Sequence, residues 1–386
     1  MNMNRFRIAK LLGVLTLFTT LAGADEPSKA ITTALQPFVD SHSLAGAVTL
    51  VADKDKVLSV DVVGFSDIAA KKAIAPDALF WIASMSKPIT ATALMILVDE
   101  GKVRLDDPVA KYLPEFKQQW LAVEQDKEHI LLKKPQHPIT IREILSHTSG
   151  LPFSSVLEVP TLDAHTLRDG ARGYAMTPLV TEPGTKYQYS NAGINTAGRI
   201  IEVVSGMPYE EFLDKRLFAP LGMKDTTFWP NDSQVTRLAK AYKPNAAKTD
   251  LEETTIGQLT YPLTDHKRQP MPGGGLFSTA SDLGRFCQMI LNGGTFDGKR
   301  YLSEASVTEM THRQTGEDIK ENYGLGWATG GGGFGHGGAY ATNMSIDPKR
   351  GLITIFMVQH AGFPGEGGKS HGAFKKAAEN LFGTKP

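Results

Sequence analysis

Apolar residues recur along the chain with two different periods. Residues 27–42 repeat at helical spacing and predict an amphipathic helix. Residues 45–53 and 57–65 are Val-rich and predict two strands, and the charged tetrapeptide Asp53-Lys54-Asp55-Lys56 between them predicts a hairpin turn. Over 84–100 the residues Ile89, Ala93, Leu94, Ile96, Leu97 and Val98 predict a helix that Gly101 ends. The middle of the chain is mostly helical in pattern. Thr140 with Glu143 forms a capping box for a short helix that stops before Gly150. Two more helices, 191–204 and 209–218, are parted by Gly206 and Pro208, and Ser281 opens another that closes at Gly293-Gly294. Segments 117–135 and 230–270 lack a clear period and predict extended surface loops. Strand pattern returns at 323–329, 340–346 and 352–359, followed by a final helix at 373–382. Strands at both ends with helices between predict one sheet built from both termini around a helical insertion. The sheet lobe would take 25–105 and 296–386, and the helical lobe 106–295.

The N-terminus changes how the first residues are counted. Arg5, Arg7 and Lys10 precede an apolar run that ends in Ala22-Gly23-Ala24. Basic, apolar, small is the order of an export signal, and the run is too short to span a bilayer. Residues 1–24 are therefore expected to be cleaved, with the mature protein periplasmic or secreted and not inserted in the membrane. Removing those three basic residues leaves 38 basic against 41 acidic side chains. With no basic block, nucleic acid is not an expected partner. Cys287 is the only cysteine, so no internal disulfide is possible. Its place among Leu283, Phe286, Met289 and Ile290 predicts a buried structural thiol.

Three short motifs carry chemistry. Ser84-Met85-Ser86-Lys87 is the only S-x-x-K in the chain. Residues three apart share a helix face, so a serine at a helix start can meet a lysine one turn on. The helix N-terminus also aims N–H groups at developing negative charge. Lysine can act as base to a hydroxyl nucleophile only if its surroundings bring its pKa from ~10.4 toward ~7–8. Tyr189-Ser190-Asn191, the only Y-x-N, sits on a loop before a helix, where a phenol can relay protons and an amide can donate to a carbonyl. His336-Gly337-Gly338-Ala339 leads into a strand whose glycines allow close approach to a substrate. Each motif alone has an ordinary structural explanation, as a capping serine, a packing tyrosine or a flexible loop. Their order and contexts together are far more informative.

With these motifs, and with Leu145-Ser146-His147-Thr148-Ser149-Gly150-Leu151-Pro152, Pro220-Leu221-Gly222-Met223-Lys224-Asp225-Thr226 and Gly274-Gly275-Leu276-Phe277-Ser278-Thr279, the chain resembles the penicillin-recognising serine hydrolases. The similar branch holds class C β-lactamases, D-alanyl-D-alanine carboxypeptidases and family VIII esterases, and the likeness covers essentially the whole mature chain. It implies a β-lactamase/transpeptidase-like α/β (α+β) fold, an antiparallel sheet flanked by helices plus an all-α lobe, with the active site between them. It implies Ser84 as nucleophile, Lys87 as its proton partner and Tyr189 sharing base and acid duties. Asn191 would hold the acyl-side carbonyl, and the N–H groups of Ser84 and Ala339 would form the oxyanion hole. His147 is expected to be structural. No metal or organic cofactor belongs to this chemistry.

One departure bears on the substrate. Class C β-lactamases carry Lys-Thr-Gly where this chain has His336-Gly337-Gly338. Histidine is mostly neutral above ~6.5, and Gly337 lacks a hydroxyl, so recognition of a carboxylate is weakened. A monomeric carboxylesterase acting on a small ester or amide is therefore expected. A class C-type β-lactamase, a D-alanyl-D-alanine carboxypeptidase or D-aminopeptidase, and a binding protein that keeps only the fold stay open as alternatives. Two decoys are set aside. Gly368-Lys369-Ser370-His371-Gly372 matches a nucleophile elbow, but a Gly/Pro loop precedes it, no Asp follows Ser370 and the only later His is the adjacent His371. The glycines 330–335 fit a dinucleotide pattern but lead into a strand, not a helix.

Overall fold

The computed structural model describes residues 29–383; the expected export signal at 1–24 lies outside them. Helix α1 (Lys29–Asp40) buries Ile31 and Leu35. Strands β1 (Gly46–Ala52) and β2 (Val57–Asp67) form the expected hairpin, and Asp53 Oδ1 fixes its turn by accepting the N–H groups of Asp55 and Lys56 at 2.8 and 2.7 Å. Strand β3 (Lys72–Ala73) is short. A 3₁₀ turn, Ala83–Met85, then leads into α2 (Ser86–Asp99). Every residue of α2 from Ser86 to Leu97 is buried. Such a helix is enclosed on all sides, which explains why its apolar residues show no single face; its buried polar groups Ser86, Lys87 and Thr90 are hydrogen-bonded.

The insertion contains α3 (Ile141–Ser146), started by the Thr140/Glu143 capping box, then α4 (Leu167–Met176), α5 (Asn191–Ser205) and α6 (Tyr209–Leu213). Helix α5 packs on α2, α3 and α4. Helix α7 (Ala280–Leu291) follows. Its sequence position counts it with the helical lobe, but it packs on β1 and on the strand of residues 352–357 and so lies on the sheet.

The chain closes with β4 (Ala328–Gly330), β5 (Gly333–Gly337), β6 (Asn343–Asp347), β7 (Leu352–Met357) and α8 (Ser370–Phe382). The sheet order is β4-β5-β6-β7-β1-β2-β3, antiparallel throughout. Val48 pairs with Met357 and Ala52 with Ile353, so the two chain ends meet at the sheet centre. β1 and β7 are buried along their whole length, as central strands covered on both faces are. Helices α1 and α8 cover one face through Ile31, Leu35, Phe374 and Ala378. The fold is the expected mixed α/β arrangement.

Local details differ from expectation for identifiable reasons. The glycine run 330–335, read as a loop, forms a tight turn and half of β5. Gly330, Gly331 and Gly332 have positive φ, and a Cβ on Gly335 would fall 2.2 Å from the Met344 carbonyl oxygen, so only glycine allows this pairing. Conversely, 323–327 is not strand: pairing starts at Ala328. The segments 117–135 and 230–270 contain small hairpins, Leu121–Gln125 with Ile130–Lys133 and Ala241–Pro244 with Leu251–Thr254. Ile130–Lys133 is exposed on every residue, so no buried face imprints a period on the sequence.

Candidate active site

Ser84, the expected helix start, lies instead in the 3₁₀ turn just ahead of α2, which begins two residues later at Ser86. The turn is strained and braced. Ala83 has φ 46°, a left-handed conformation uncommon for a residue with a Cβ. Ser86 Oγ donates to the Ala83 carbonyl at 2.7 Å, and Leu276 N–H donates to Ser86 Oγ at 3.3 Å. The Trp81 indole N–H donates to the Gly274 carbonyl at 2.7 Å. Ser84 is thereby held half-exposed on a turn whose neighbours are buried.

Lys87, one turn on, is fully buried, and its Nζ stands 3.0 Å from Ser84 Oγ. Two further groups complete its shell: Asn191 Oδ1 at 2.7 Å and the Gly273 carbonyl at 2.6 Å. There is no carboxylate among these partners. Burial alone therefore brings the pKa of Lys87 down to about 7.

Tyr189 and Asn191 arrive on the turn that opens α5. Ser190, not Asn191, caps this helix: its Oγ accepts Gly193 N–H at 3.0 Å and donates to the Pro152 carbonyl at 2.6 Å. The amide of Asn191 is thus free to meet Lys87. The Tyr189 ring centroid is 4.7 Å from Lys87 Nζ. Burial pushes the Tyr189 phenol up to about 12, with a hydrogen bond to Ser84 acting the other way.

The third motif forms the end of β5. His336 is buried at 7% exposure. Its Nδ1 lies 2.7 Å from the Gly337 carbonyl and its Nε2 2.9 Å from Tyr323 Oη. A carbonyl only accepts, so Nδ1 carries the hydrogen and Tyr323 donates to Nε2. Burial first and Lys87 second hold the imidazole pKa down to about 3, so it is neutral far below the ordinary histidine range expected of it. Gly337 is exposed. Gly338 has no room for a side chain, since its Cβ would lie 2.6 Å from the Ile82 carbonyl oxygen, and this contact lays the turn bearing Ala339 beside the Ser84 turn.

All three motifs thus converge. The decoys do not: Ser370 is buried and donates to the Gly367 carbonyl at 2.7 Å. Cys287 is buried as expected, with its Sγ 3.8 Å from Met344 Sδ. The sequence signals missed Gly273, Asn195 and Tyr323. Asn195 Oδ1 accepts Gly273 N–H at 2.9 Å, which aims the opposite carbonyl at Lys87. The Pro272-Gly273-Gly274-Gly275 run and the one-turn spacing of Asn191 and Asn195 are the signals that could have found them.

A β-lactamase family model matches residues 31–377. The chain belongs to the β-lactamase family. Protein Rv1367c of Mycobacterium tuberculosis is 35% identical over 362 residues, covering 83% of this chain and 87% of that protein. Penicillin-binding protein 4 of Amycolatopsis lactamdurans is 30% identical over 298 residues, covering 74% and 73%. Among solved structures, EstCE1, described as a hydrolase with promiscuous acyltransferase activity, superposes with TM-score 0.75 at 26% identity, covering 91% of this chain and 97% of its own. As a β-lactamase-family member with such relatives, the chain is an enzyme of the serine-hydrolase class.

Proposed function

We propose that this protein is an exported carboxylesterase that forms an acyl-enzyme on Ser84. The observation that carries the reading is the buried Lys87 amine, with a pKa near 7, 3.0 Å from Ser84 Oγ. A neutral amine has two hydrogens and one lone pair. The Gly273 carbonyl and Asn191 Oδ1 are acceptors and take the hydrogens, so the lone pair is left for the Ser84 hydroxyl.

The steps follow from that polarity. Ser84 gives its proton to Lys87 as Oγ bonds to the ester carbonyl carbon. The resulting oxyanion is held by the N–H groups of Ser84 and Ala339, each worth on the order of 3 kcal/mol of barrier. The C–O bond to the alcohol then breaks, and the alkoxide receives the proton from Lys87 through the Tyr189 hydroxyl. Because burial keeps that phenol protonated, Tyr189 acts as relay and Lys87 as the resting base. Water repeats the sequence on the acyl-enzyme: its proton follows the same path, and Ser84 leaves with its hydrogen restored. Asn191, its Oδ1 engaged by Lys87, has Nδ2 to offer the acyl side of the substrate.

The third motif supports an ester over a β-lactam. A neutral His336 turned to Tyr323 and a bare Gly337 supply neither a cation nor a hydroxyl for a substrate carboxylate. Phe153, half-exposed and stacked at 6.3 Å on Tyr189, offers an apolar wall beside the nucleophile instead. The pattern in residues 1–24 supports export, and a monomer acting on small esters or amides is the simplest form. The test is labelling with a serine-reactive fluorophosphonate, joined to kinetics on an aryl ester, a cephalosporin and a D-Ala-D-Ala peptide. A single adduct on Ser84, absent in Ser84→Ala, with the ester the best substrate, is expected. Persistent labelling of the variant would remove Ser84 from its role, and efficient cephalosporin turnover with negligible esterase activity would reverse the substrate ranking.

A further inference from the structure

His147 lies outside the three motifs, at the C-terminus of α3, and it grips the residues on both sides of Tyr189. Its carbonyl accepts Gln188 N–H at 2.7 Å. Its Nδ1 accepts Ser190 N–H at 3.2 Å. Its ring packs against the phenol between them, with centroids 4.5 Å apart. To reach both N–H groups the residue takes a left-handed backbone, φ 61° and ψ 30°, and it is fully buried.

The tautomer follows from these contacts. An Nδ1 that accepts carries no hydrogen, so the neutral ring bears it on Nε2. That Nε2 is buried without a hydrogen-bond partner, and the rings of Tyr189, Tyr323 and Tyr187 surround the imidazole at 4.5, 4.7 and 5.7 Å. A buried donor left unmatched lowers stability, and such a feature persists where another requirement holds it. Burial and the neighbouring Lys87 and His336 keep His147 neutral. A second proton would turn Nδ1 into a donor facing the Ser190 N–H and break the grip.

We propose that His147 is a positioning residue that fixes the Tyr189 hydroxyl against Ser84 by tethering Gln188 and Ser190, a role that rests on the relay function given to Tyr189 above. Only the Nδ1 edge is needed for this. An asparagine places its Oδ1 near the Nδ1 position and tolerates the left-handed backbone, whereas a glutamine reaches toward the Nε2 position and leaves Ser190 N–H unmatched.

The experiment compares His147→Asn, His147→Gln, Tyr189→Phe and the double variant His147→Gln/Tyr189→Phe. Ester turnover is expressed per active site titrated with a fluorophosphonate, so that misfolded protein does not count. His147→Asn is expected within about 5-fold of wild-type kcat, and His147→Gln about 30-fold or more below it, since an ångström of misplacement is worth about 100-fold. In the Tyr189→Phe background the glutamine is expected to cost no more than about 2-fold further, because both changes remove one function. Equal kcat for the asparagine and glutamine variants, or losses that multiply in the double variant, would overturn the proposal. Wild-type turnover by Tyr189→Phe alone would instead sink the relay role of Tyr189, and the tether with it.

Discussion

The Gly273 carbonyl stands 2.6 Å from Lys87 Nζ, and a Cβ on Gly273 would lie 2.9 Å from Asn191 Oδ1, the other acceptor on the same amine. Backbone and side chain therefore crowd each other where both reach Lys87, with no room between them for a methyl group. Gly273→Ala is expected to push the Asn191 amide aside and lower kcat about 10- to 100-fold while the protein stays folded. Turnover per titrated site, read beside the melting temperature, checks this. An alanine variant with wild-type kcat would show that Asn191 does not need its place.

The acylation rate should follow the ionisation of Lys87. With the amine neutral only above about 7, kcat/KM for a neutral ester is expected to rise through that pH and then stay flat, since Tyr189 does not ionise until about 12. Lys87→Arg keeps a cation that does not deprotonate, and is expected to lose about 1,000-fold or more at every pH. A rise centred near the ordinary lysine pKa would show that burial does not tune this amine.

The same depressed pKa has a consequence for stability. The unfolded chain holds the Lys87 proton up to its ordinary 10.5, whereas the folded chain releases it at about 7. Between those values the unfolded state binds more protons, so stability rises with pH by up to about 1.4 kcal/mol per pH step. Below about 7 the cost of burying the charge is present in full. In Lys87→Met this slope is expected to vanish from chemical-denaturation curves taken between pH 7 and 10. A separate loss toward acid should remain, because His147, His336 and His360 are buried neutral and the unfolded chain protonates them first. An unchanged alkaline slope in the variant would assign it to other groups.

Much of the site is legible in the sequence because its parts are side chains at fixed local offsets. Ser84 and Lys87 meet by helix geometry alone, and a capping serine at 190 explains why Tyr189 and Asn191 leave their turn on the catalytic side. Gly273 is not legible, because it contributes a carbonyl, which every residue has. Tyr323 escapes notice because its bond to His336 depends on how residues 323–327 turn before β4, where alternation wrongly suggests a strand. The sheet is legible for a different reason: β1 and β7 are apolar but for Thr49 and Thr354 because both faces are covered. The hairpins at 121–133 and 241–254 bury only Leu121, Ala241 and Tyr242 at their bases and are otherwise largely exposed, too little to leave a period to read.

The identity of residue 336 bears on substrate choice and on Lys87 together. The charge-free imidazole lies close enough to Lys87 for the two to influence each other's ionisation. A charged ammonium in its place should therefore favour the neutral form of Lys87 still more, as two like charges in one buried site compete to lose a proton. His336→Lys is expected to move the rising limb of the pH profile to lower pH by about one step, at some loss of melting temperature from burying a charge. If the new ammonium reaches past Gly337, turnover of a carboxylate-bearing cephalosporin relative to a neutral ester should also rise about 10-fold or more above pH 7. The two readouts separate the effects. A shifted limb with an unchanged substrate ratio would mean that residue 336 acts on Lys87 but does not face the carboxylate position. An unshifted limb would mean that the histidine and lysine are not electrostatically coupled in the working enzyme.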